Sequence, residues 1–262
     1  MKIALAGNPN SGKSCLFNAL TGLNQKTGNF PGVTIDKRTG FCSIQEQDGT
    51  KRKTEIIDLP GLYGMSPGSD DERIAFNILS DTKNENFPDL VIMTIDASKL
   101  KRGLFLCTEL LDRGIEMVIA LNMVDVAEKK GIFTEVNKLS AELGIPVIPI
   151  NAKKQSGIND LLNVIKSRIP VKPIPFLKPT EIENSTANIT ILRYRKISSI
   201  IENCTIVKPN SSFQWTASID KIITHPVYGY VIFLGILFLI FQAVFSWAAY
   251  PMNLIDTAFL YL

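Results

Sequence analysis

The sequence predicts an α/β domain with a mostly parallel sheet of six strands flanked by helices, followed by a small all-α domain and a transmembrane helix. Apolar runs of four to seven residues alternate with segments of helical spacing, as in a parallel sheet covered by helices. Four prolines between residues 169 and 179 exclude regular helix there and favour a linker. Residues 227–249 carry no charge and are long enough to cross a hydrocarbon core of about 30 Å.

The first region alternates strands and helices along the chain. The strand candidates are the short apolar runs 2–6, 54–58, 90–96, 117–122 and 147–150. Residues 36–45 add an antiparallel edge strand that turns at Asp48 and Gly49 into the next strand. The helix candidates are 13–20, 71–80, 104–113, 134–143 and 157–167.

The composition divides the chain into four parts. We expect a first domain at 1–169, a linker and helical domain at 170–225, and a transmembrane helix at 226–250. Helical spacing over 189–201 supports the small domain. Because residues 251–262 read as the start of a further membrane segment, we expect the chain to be a fragment of a longer protein.

Net charge, histidine count and cysteine spacing limit the partners and metal sites that we expect for this chain. The net charge is +3 with no long basic run, so we expect no nucleic-acid partner. A single histidine leaves no candidate metal set of His and Cys. The widely spaced Cys15, Cys42, Cys107 and Cys204 are expected to be free buried thiols in a reducing compartment.

A phosphate-binding loop follows the first strand. Its pattern is G-x-x-x-x-G-K-[ST], made of Gly7, Asn8, Pro9, Asn10, Ser11, Gly12, Lys13 and Ser14. Backbone N–H groups and the following helix N-terminus attract phosphates, Lys13 reaches the β- and γ-phosphates, and Ser14 ligates Mg²⁺. Taken alone, the pattern is also compatible with a chance Gly-rich turn.

Two further elements end predicted strands. Asp58-Leu59-Pro60-Gly61 places a carboxylate for the metal and the Gly61 N–H for the γ-phosphate. Asn122-Met123-Val124-Asp125 places a carboxylate that accepts hydrogen bonds from the ring N–H and amine of guanine, which favours GTP over ATP. The alternatives are a strand-ending turn for the first and a helix N-cap at Asp125 for the second.

Order along the chain supports a shared site, because the carboxyl ends of parallel strands meet at one edge of a sheet. A fourth element, Asn151-Ala152-Lys153, stands where GTPases have Ser-Ala-Lys against guanine, although the match is loose and a plain loop is an equal alternative. The expected nucleotide contacts therefore run over 7–15, 32–34, 58–61, 122–123, 125 and 151–153, that is, Gly7–Ser14, Cys15, Gly32, Val33, Thr34, Asp58, Leu59, Pro60, Gly61, Asn122, Met123, Asp125, Asn151, Ala152 and Lys153.

Two loops are candidates for nucleotide-dependent switches. Residues 28–34 are rich in Gly and Pro, and Thr34 is the natural residue to close onto Mg²⁺ and the γ-phosphate. Residues 62–71 are the second candidate. The alternative is that both are inert surface loops.

The sequence lacks one side chain that many GTPases use for hydrolysis. Many small GTPases orient the attacking water with a Gln directly after Asp-x-x-Gly, but this chain has Leu62. We therefore expect slow intrinsic turnover that depends on Asn10, Lys13, Thr34 and Gly61, and we hypothesise that Asn10 recruits K⁺ beside the phosphates. The alternative is that Asn10 only braces the loop.

These residues together resemble the N-terminal portion of the ferrous iron transport protein B (FeoB) family. The shared segments are 7–14, 28–34, 58–61 and 122–125, then Arg193-Tyr194-Arg195, Ser218-Ile219-Asp220 and His225-Pro226 before the apolar span. The specific part is the 28–34 loop joined to the helical domain and the His225-Pro226 segment. The resemblance covers essentially the whole chain.

The resemblance implies a P-loop GTPase fold, GTP and GDP as ligands, Mg²⁺, and K⁺-stimulated hydrolysis involving Asn10. It implies that the helical domain acts like a GDP-dissociation inhibitor. It also implies Fe²⁺ as the transported substrate of a multi-pass protein in the lipid bilayer of the bacterial inner membrane, with a cytoplasmic GTPase domain. Small accessory Feo proteins and a second copy of the chain are its candidate partners.

The chain departs from GTPases generally at Met123, which replaces the Lys of Asn-Lys-x-Asp, and at Asn151, which replaces a Ser. A flexible Met stem can still pack on the base, so we expect weaker binding with retained guanine preference. Two other functions are open at this point: an RNA- or ribosome-associated GTPase, and a membrane-anchored signalling GTPase without a transport role. The apolar span and the lack of a basic patch argue against the first.

Overall fold

The fold is taken from a computed structural model of the chain, which describes residues 1–22, 25–29, 36–45, 51–167, 173–178, 189–208, 223–247, 255 and 257. The chain divides into two compact units, Met1–Pro209 and Asn210–Leu262. The predicted turn at Asp48 and Gly49 lies outside the described residues, as do 170–172, 179–188 and 209–222 of the predicted helical domain.

A seven-stranded sheet forms the centre of the first unit, in the order β2-β3-β4-β1-β5-β6-β8. The neighbouring strands β4, β1, β5, β6 and β8 pair in parallel. Strand β3 is antiparallel to both of its neighbours, β2 and β4. The strands are β1 (Lys2–Gly7), β2 (Gln25–Asn29), β3 (Asp36–Gln45), β4 (Lys51–Asp58), β5 (Leu90–Asp96), β6 (Met117–Asn122) and β8 (Val147–Pro149). This confirms the predicted fold class and adds one edge strand, β2, to it.

Helices follow most of the strands. They are α1 (Lys13–Thr21), α2 (Asp70–Ser80), α3 (Leu100–Asp112), α4 (Val124–Lys129), α5 (Val136–Leu143), α6 (Ile158–Ser167) and α7 (Ile189–Cys204). A second, two-stranded sheet pairs β7 (Ile132–Thr134) with β9 (Thr205–Val207) in antiparallel orientation.

Each face of the central sheet has its own hydrophobic core, because successive residues of β1 point to opposite faces. Ala4 and Ala6 belong to the cluster that α2, α3 and α5 cover. Ile3 and Leu5 belong to the cluster that α1 and α6 cover. The sheet is therefore buried on both sides, and its loops are exposed at the strand ends, where ligands bind in such folds.

Helix α7 belongs to the first unit and packs against its core. Ile197, Ile200 and Cys204 are buried in the same core cluster as α3 and α5. Arg193, also buried, pairs with Asp112 of α3 through a 2.6 Å contact between Nη2 and Oδ2. This helix confirms the helical prediction for 189–201 and extends three residues beyond it.

The described part of the second unit is an apolar helix at Tyr228–Gln242 that continues as a π-helical turn at Ala243–Trp247. At its start, His225 Nδ1 accepts the backbone N–H groups of Val227 and Tyr228 at 3.2 and 3.4 Å. By length and composition, Tyr228–Phe245 is able to cross a membrane, with a mean hydropathy of 2.2 and no buried residue in that window.

Candidate nucleotide site

The phosphate loop connects β1 to α1 in a conformation that leaves backbone donors free for a ligand. Gly12 is the N-cap of α1 with a left-handed φ of 92°, and no side chain caps the helix. Asn10 is exposed and also left-handed, with a φ of 63°. The first turn of α1 carries Lys13 and Ser14, so its uncapped N–H groups and a lysine lie together at an anion-binding helix end.

Asn122 ties three of the predicted segments together. Its Nδ2 donates to Ser11 O at 3.0 Å, and its Oδ1 accepts the Ala152 N–H at 3.1 Å. The side chain is buried, and it lies so close to Gly12 that a Cβ at residue 12 would collide with Asn122 Nδ2. The phosphate loop, the end of β6 and the 151–153 loop are therefore one connected structure.

The Asp58–Gly61 segment lies against the other side of the phosphate loop. Asp58 ends β4 in register with Leu5 of β1. The Leu62 N–H donates to Gly7 O at 3.1 Å, and Asn8 Nδ2 donates to Leu62 O at 2.8 Å. A Cβ at Gly61 would lie 2.8 Å from the Pro9 ring, so only glycine allows this close approach.

Lys13 and Asp58 form the charged centre of the site. Burial lowers the pKa of Lys13, and the nearby Asp58 carboxylate partly offsets that effect. Burial likewise raises the pKa of Asp58, against the opposing charges of Lys13 and Arg38. Asp58 Oδ1 is buried without a hydrogen-bond partner. A buried carboxylate oxygen with no partner, beside a desolvated lysine, fits a hydrated Mg²⁺ and a phosphate, because each would supply the missing opposite charge.

Met123 and Asp125 stand at the start of α4. Met123 is the N-cap in a left-handed conformation, with a φ of 59°, and its methyl carbon lies 3.6 Å from where a Cβ of Gly12 would be. Asp125 lies in the first helical turn and does not cap the helix, which rules out its reading as an N-cap. Its Oδ2 is 3.6 Å from Lys154 Nζ. The carboxylate is thus partly exposed on the rim of the site and available to a base.

The 151–156 loop is held by its own first residue. Asn151 and Ser156 exchange backbone hydrogen bonds of 2.9 and 3.1 Å, and Asn151 Oδ1 accepts the Lys154 N–H at 3.0 Å. Ala152 is buried and Lys153 is exposed. Asn151 therefore shapes a tight turn that presents the Ala152 backbone to Asn122.

The predicted site residues fall into three groups. The structure gathers the phosphate loop, Asp58–Gly61, Asn122 and Ala152 around one end of the sheet. Leu62 points away from this end into the core and is fully buried. Gly32, Val33 and Thr34 lie outside the described residues, so the proposed Mg²⁺ contact of Thr34 stays a prediction. The first two residues of the predicted 28–34 loop are the end of β2 instead.

Several residues of the site region are absent from the sequence prediction. Arg38 influences Asp58 because β3 places it directly opposite in the ladder, which requires knowledge of strand register. Glu72 accepts the backbone N–H groups of Tyr63 and Gly68 at 3.3 and 2.6 Å. The spacing of Ser69 and Glu72 is a capping-box signal that marks the start of α2 in the sequence.

Comparison with known proteins finds similarity to one family of proteins. The family model for ferrous iron transport protein B matches residues 1–165. The Fe(2+) transporter FeoB of Campylobacter jejuni is 36% identical over 263 residues, which cover 99% of this chain and 41% of that protein. The chain spans about two fifths of the length of the curated relatives it matches.

Solved structures give the same result for the fold. The cytosolic domain of L. pneumophila FeoB is 33% identical with a TM-score of 0.65, covering 79% of this chain and 100% of that one. The cytosolic domain of T. maritima FeoB in its GMPPNP form is 25% identical with a TM-score of 0.64, covering 79% of this chain and 99% of that one.

Proposed function

The chain belongs to the ferrous iron transport protein B family, and on that premise we propose that its first 169 residues bind GTP and hydrolyse it to GDP and phosphate. The observation that carries the proposal is the pair of hydrogen bonds made by Asn122, which links the phosphate loop to the base-side loop. The GMPPNP complex of the T. maritima relative supports the same ligand class.

The phosphate end of the ligand lies at the start of α1. The Lys13 ammonium neutralises the β- and γ-phosphate oxygens, whose charge in turn offsets the cost of burying that ammonium. Ser14, Asp58 and Thr34 are the residues that hold Mg²⁺, which neutralises phosphate charge when it is bound. The Gly61 N–H donates a hydrogen bond to a γ-phosphate oxygen while water attacks the γ-phosphorus and GDP leaves.

The base end lies between Asp125 and the 151–153 loop. The Asp125 carboxylate accepts the guanine N1–H and the exocyclic amine, which gives the preference for GTP. The Met123 stem packs across the base in place of the usual lysine. Asn151, Ala152 and Lys153 line the opposite edge of the base.

Hydrolysis is slow, because Leu62 is buried and offers no polar group to the attacking water. K⁺ stimulates the reaction. Exposed Asn10 in the phosphate loop is the residue that recruits the ion. Replacing K⁺ by Na⁺ at fixed ionic strength lowers the rate in the parent protein and has little effect in Asn10→Ala. An equal rate in the two salts would contradict this role.

The whole protein is a GTP-gated or GTP-driven Fe²⁺ uptake system of the bacterial inner membrane. The apolar helix at Tyr228–Gln242 enters the bilayer, the nucleotide domain is cytoplasmic, and residues 170–225 form a linker and a GDI-like helical domain that couples the two. Fe²⁺ is the cargo, and a small accessory Feo protein and a second copy of the chain are its partners. The alternative of a membrane-anchored signalling GTPase lacks the transport step.

Uptake of Fe²⁺ into vesicles by the full-length protein tests this proposal. We expect uptake to require GTP and to be abolished in Lys13→Ala, since this variant lacks the ammonium group that binds the phosphates. Lys166→Ala on the far helix α6 serves as the charge control. Uptake that continues unchanged in Lys13→Ala would separate the nucleotide site from transport, and GTP hydrolysis without any uptake would favour the signalling alternative.

A further inference from the structure

Helix α3 contacts three consecutive residues of the loop that follows Gly61. The Arg102 guanidinium lies 5.3 Å from the centre of the Tyr63 ring. The Phe105 ring lies 3.2 Å from where a Cβ of Gly64 would be. Glu109 Oε2 accepts the Met65 N–H at 2.7 Å. Tyr63, Gly64 and Met65 thus each lie against a side chain of the helix, and Glu109 Oε2 is also 3.0 Å from the Gly64 Cβ position.

The spacing explains why one helix can do this. Residues 102, 105 and 109 are three and seven apart, so their side chains share one face of α3. The loop is also fixed just before this face, because Leu62 hydrogen-bonds to Gly7 and Asn8 of the phosphate loop. Gly61 therefore directly precedes the segment 62–65, which is held by hydrogen bonds at Leu62 and at Met65.

Glu109 makes the strongest of the three contacts. Tyr63 and Arg102 are exposed, and cation–π contacts at exposed sites contribute little. The Glu109 hydrogen bond is short, partly buried and accepted by a carboxylate oxygen, which is the stronger kind. The Met65 side chain beside it is buried in the core, so a shift of this backbone would disturb packing as well.

We propose that Glu109 is a positioning residue for GTP: by holding the Met65 N–H it fixes the loop so that the Gly61 N–H stands beside the terminal phosphate. This role rests on the proposed function. It predicts that Glu109 matters to a triphosphate, which contacts Gly61, and not to a diphosphate, which does not reach it. A carboxylate 48 positions away along the chain thereby controls one face of the active site.

The affinities of the whole chain for GMPPNP and GDP test the proposal. In Glu109→Ala we expect the affinity for GMPPNP to fall about tenfold, as loss of one charge-assisted hydrogen bond allows, with GDP affinity within about twofold of the parent. Glu109→Gln keeps an oxygen acceptor and should regain most of the GMPPNP affinity. Glu116→Ala, at an exposed glutamate just beyond α3, is the matched control.

Hydrogen exchange of the peptide spanning 62–69 is the second readout, measured without nucleotide. Faster exchange in Glu109→Ala, with an unchanged thermal midpoint, is expected. The proposal is overturned if exchange does not change, or if exchange accelerates while GMPPNP and GDP affinities fall equally or not at all. A parent protein that binds neither nucleotide would refute the proposed function, while the exchange result would still decide whether Glu109 holds the loop.

Discussion

In the proposed function, recognition of the guanine base depends on the side chain of Asp125. Asp125→Asn replaces an acceptor of two hydrogen bonds by a group with one acceptor and one donor. We expect GTP affinity to fall by about 10² to 10⁴-fold, as expected for two hydrogen bonds to a charged group. Xanthosine triphosphate, which has a carbonyl in place of the amine, should regain affinity in the variant.

Competition binding with GTP, ATP and xanthosine triphosphate measures this change. Asp160→Asn, at an exposed residue of α6, is the control and should behave as the parent. A variant at residue 125 that kept its preference for GTP would show that another residue reads the base.

Cys15 is the only exposed cysteine of the four, in contrast to the prediction that all are buried. Burial raises the pKa of Cys42 to about 11 and that of Cys107 to about 12. Near pH 8 the Cys42 thiolate fraction is then about one in a thousand. A thiol reagent should therefore modify one cysteine in the folded protein, and GDP should slow that reaction because Cys15 follows the phosphate loop.

Counting modified thiols with and without GDP, and with Cys15→Ser as control, checks the assignment. Two or more fast-reacting thiols in the parent would contradict it. The raised pKa values have a second effect with a definite sign. The Cys42 and Cys107 thiols stabilise the fold fully below their unfolded pKa of 9.0, and that stabilisation is lost as the pH rises toward 11 and 12.

Single residues of the site were predictable where the motif itself dictates their chemistry. Lys13, Asp58 and Asn122 are such cases, and the structure brings their segments to one end of the sheet. The contribution of Arg38 was not predictable, because it depends on a strand register that pairs Arg38 with Asp58. The opposite orientation of Leu62 was equally invisible, since its sequence position suggests a place beside the attacking water.

Helix α7 is attached to α3 by one buried ion pair in addition to apolar packing. Asp112 accepts the Leu177 N–H at 2.9 Å through Oδ1 and pairs with Arg193 through Oδ2. Arg193→Ala would leave this carboxylate partly buried without its partner, at a cost of about 3 kcal/mol in the free energy of unfolding of this region. Hydrogen exchange of residues 189–204 should accelerate accordingly.

Arg195→Ala provides the matched control, because Arg195 is exposed on the same helix. The double variant Arg193→Met with Asp112→Leu should recover much of the loss, since an apolar pair can replace a buried ion pair. Exchange in Arg193→Ala equal to that in Arg195→Ala would show that the ion pair contributes nothing to the docking of α7.

Secondary structure was most predictable in the centre of the sheet. Strands 90–96 and 117–122 were predicted to the residue because doubly buried parallel strands are continuous apolar runs with polar ends. Helix α3 begins four residues before its predicted start, after a 3₁₀ turn in which Asp96 accepts the Ser98 N–H. Strand β2 has the polar sequence Gln-Lys-Thr-Gly-Asn and exists through its pairing with β3, which no local pattern reveals.

For the molecule as a whole, the proposed membrane location rests on the apolar helix. Leu237→Lys puts a charge near the middle of Tyr228–Phe245 and should oppose membrane insertion by about 3 kcal/mol. Tyr228→Lys, at the end of the helix, is the control, because a terminal lysine can extend to the interface. Alkaline extraction of membranes should release more of the first variant than of the second.

Equal extraction of both variants would indicate that this helix does not lie in the bilayer. The helix itself was predictable from its lack of charge over 227–249. The predicted division at 169–170 and the fold of the 170–225 domain stay predictions, because residues 168–172, 179–188 and 209–222 lie outside the described part of the chain. The structure of a segment could thus be predicted from the sequence where one interaction dominates, and could not be predicted where several weak interactions add up.

The contact between Gly12 and Asn122 restricts how this sequence can drift. Any larger residue at position 12 meets the Asn122 amide, and any shorter residue at position 122 gives up its links to Ser11 and Ala152. We therefore expect neither single change to be tolerated, so that each position constrains the other. A pooled library randomised at both codons and selected for function should return the parental combination almost exclusively.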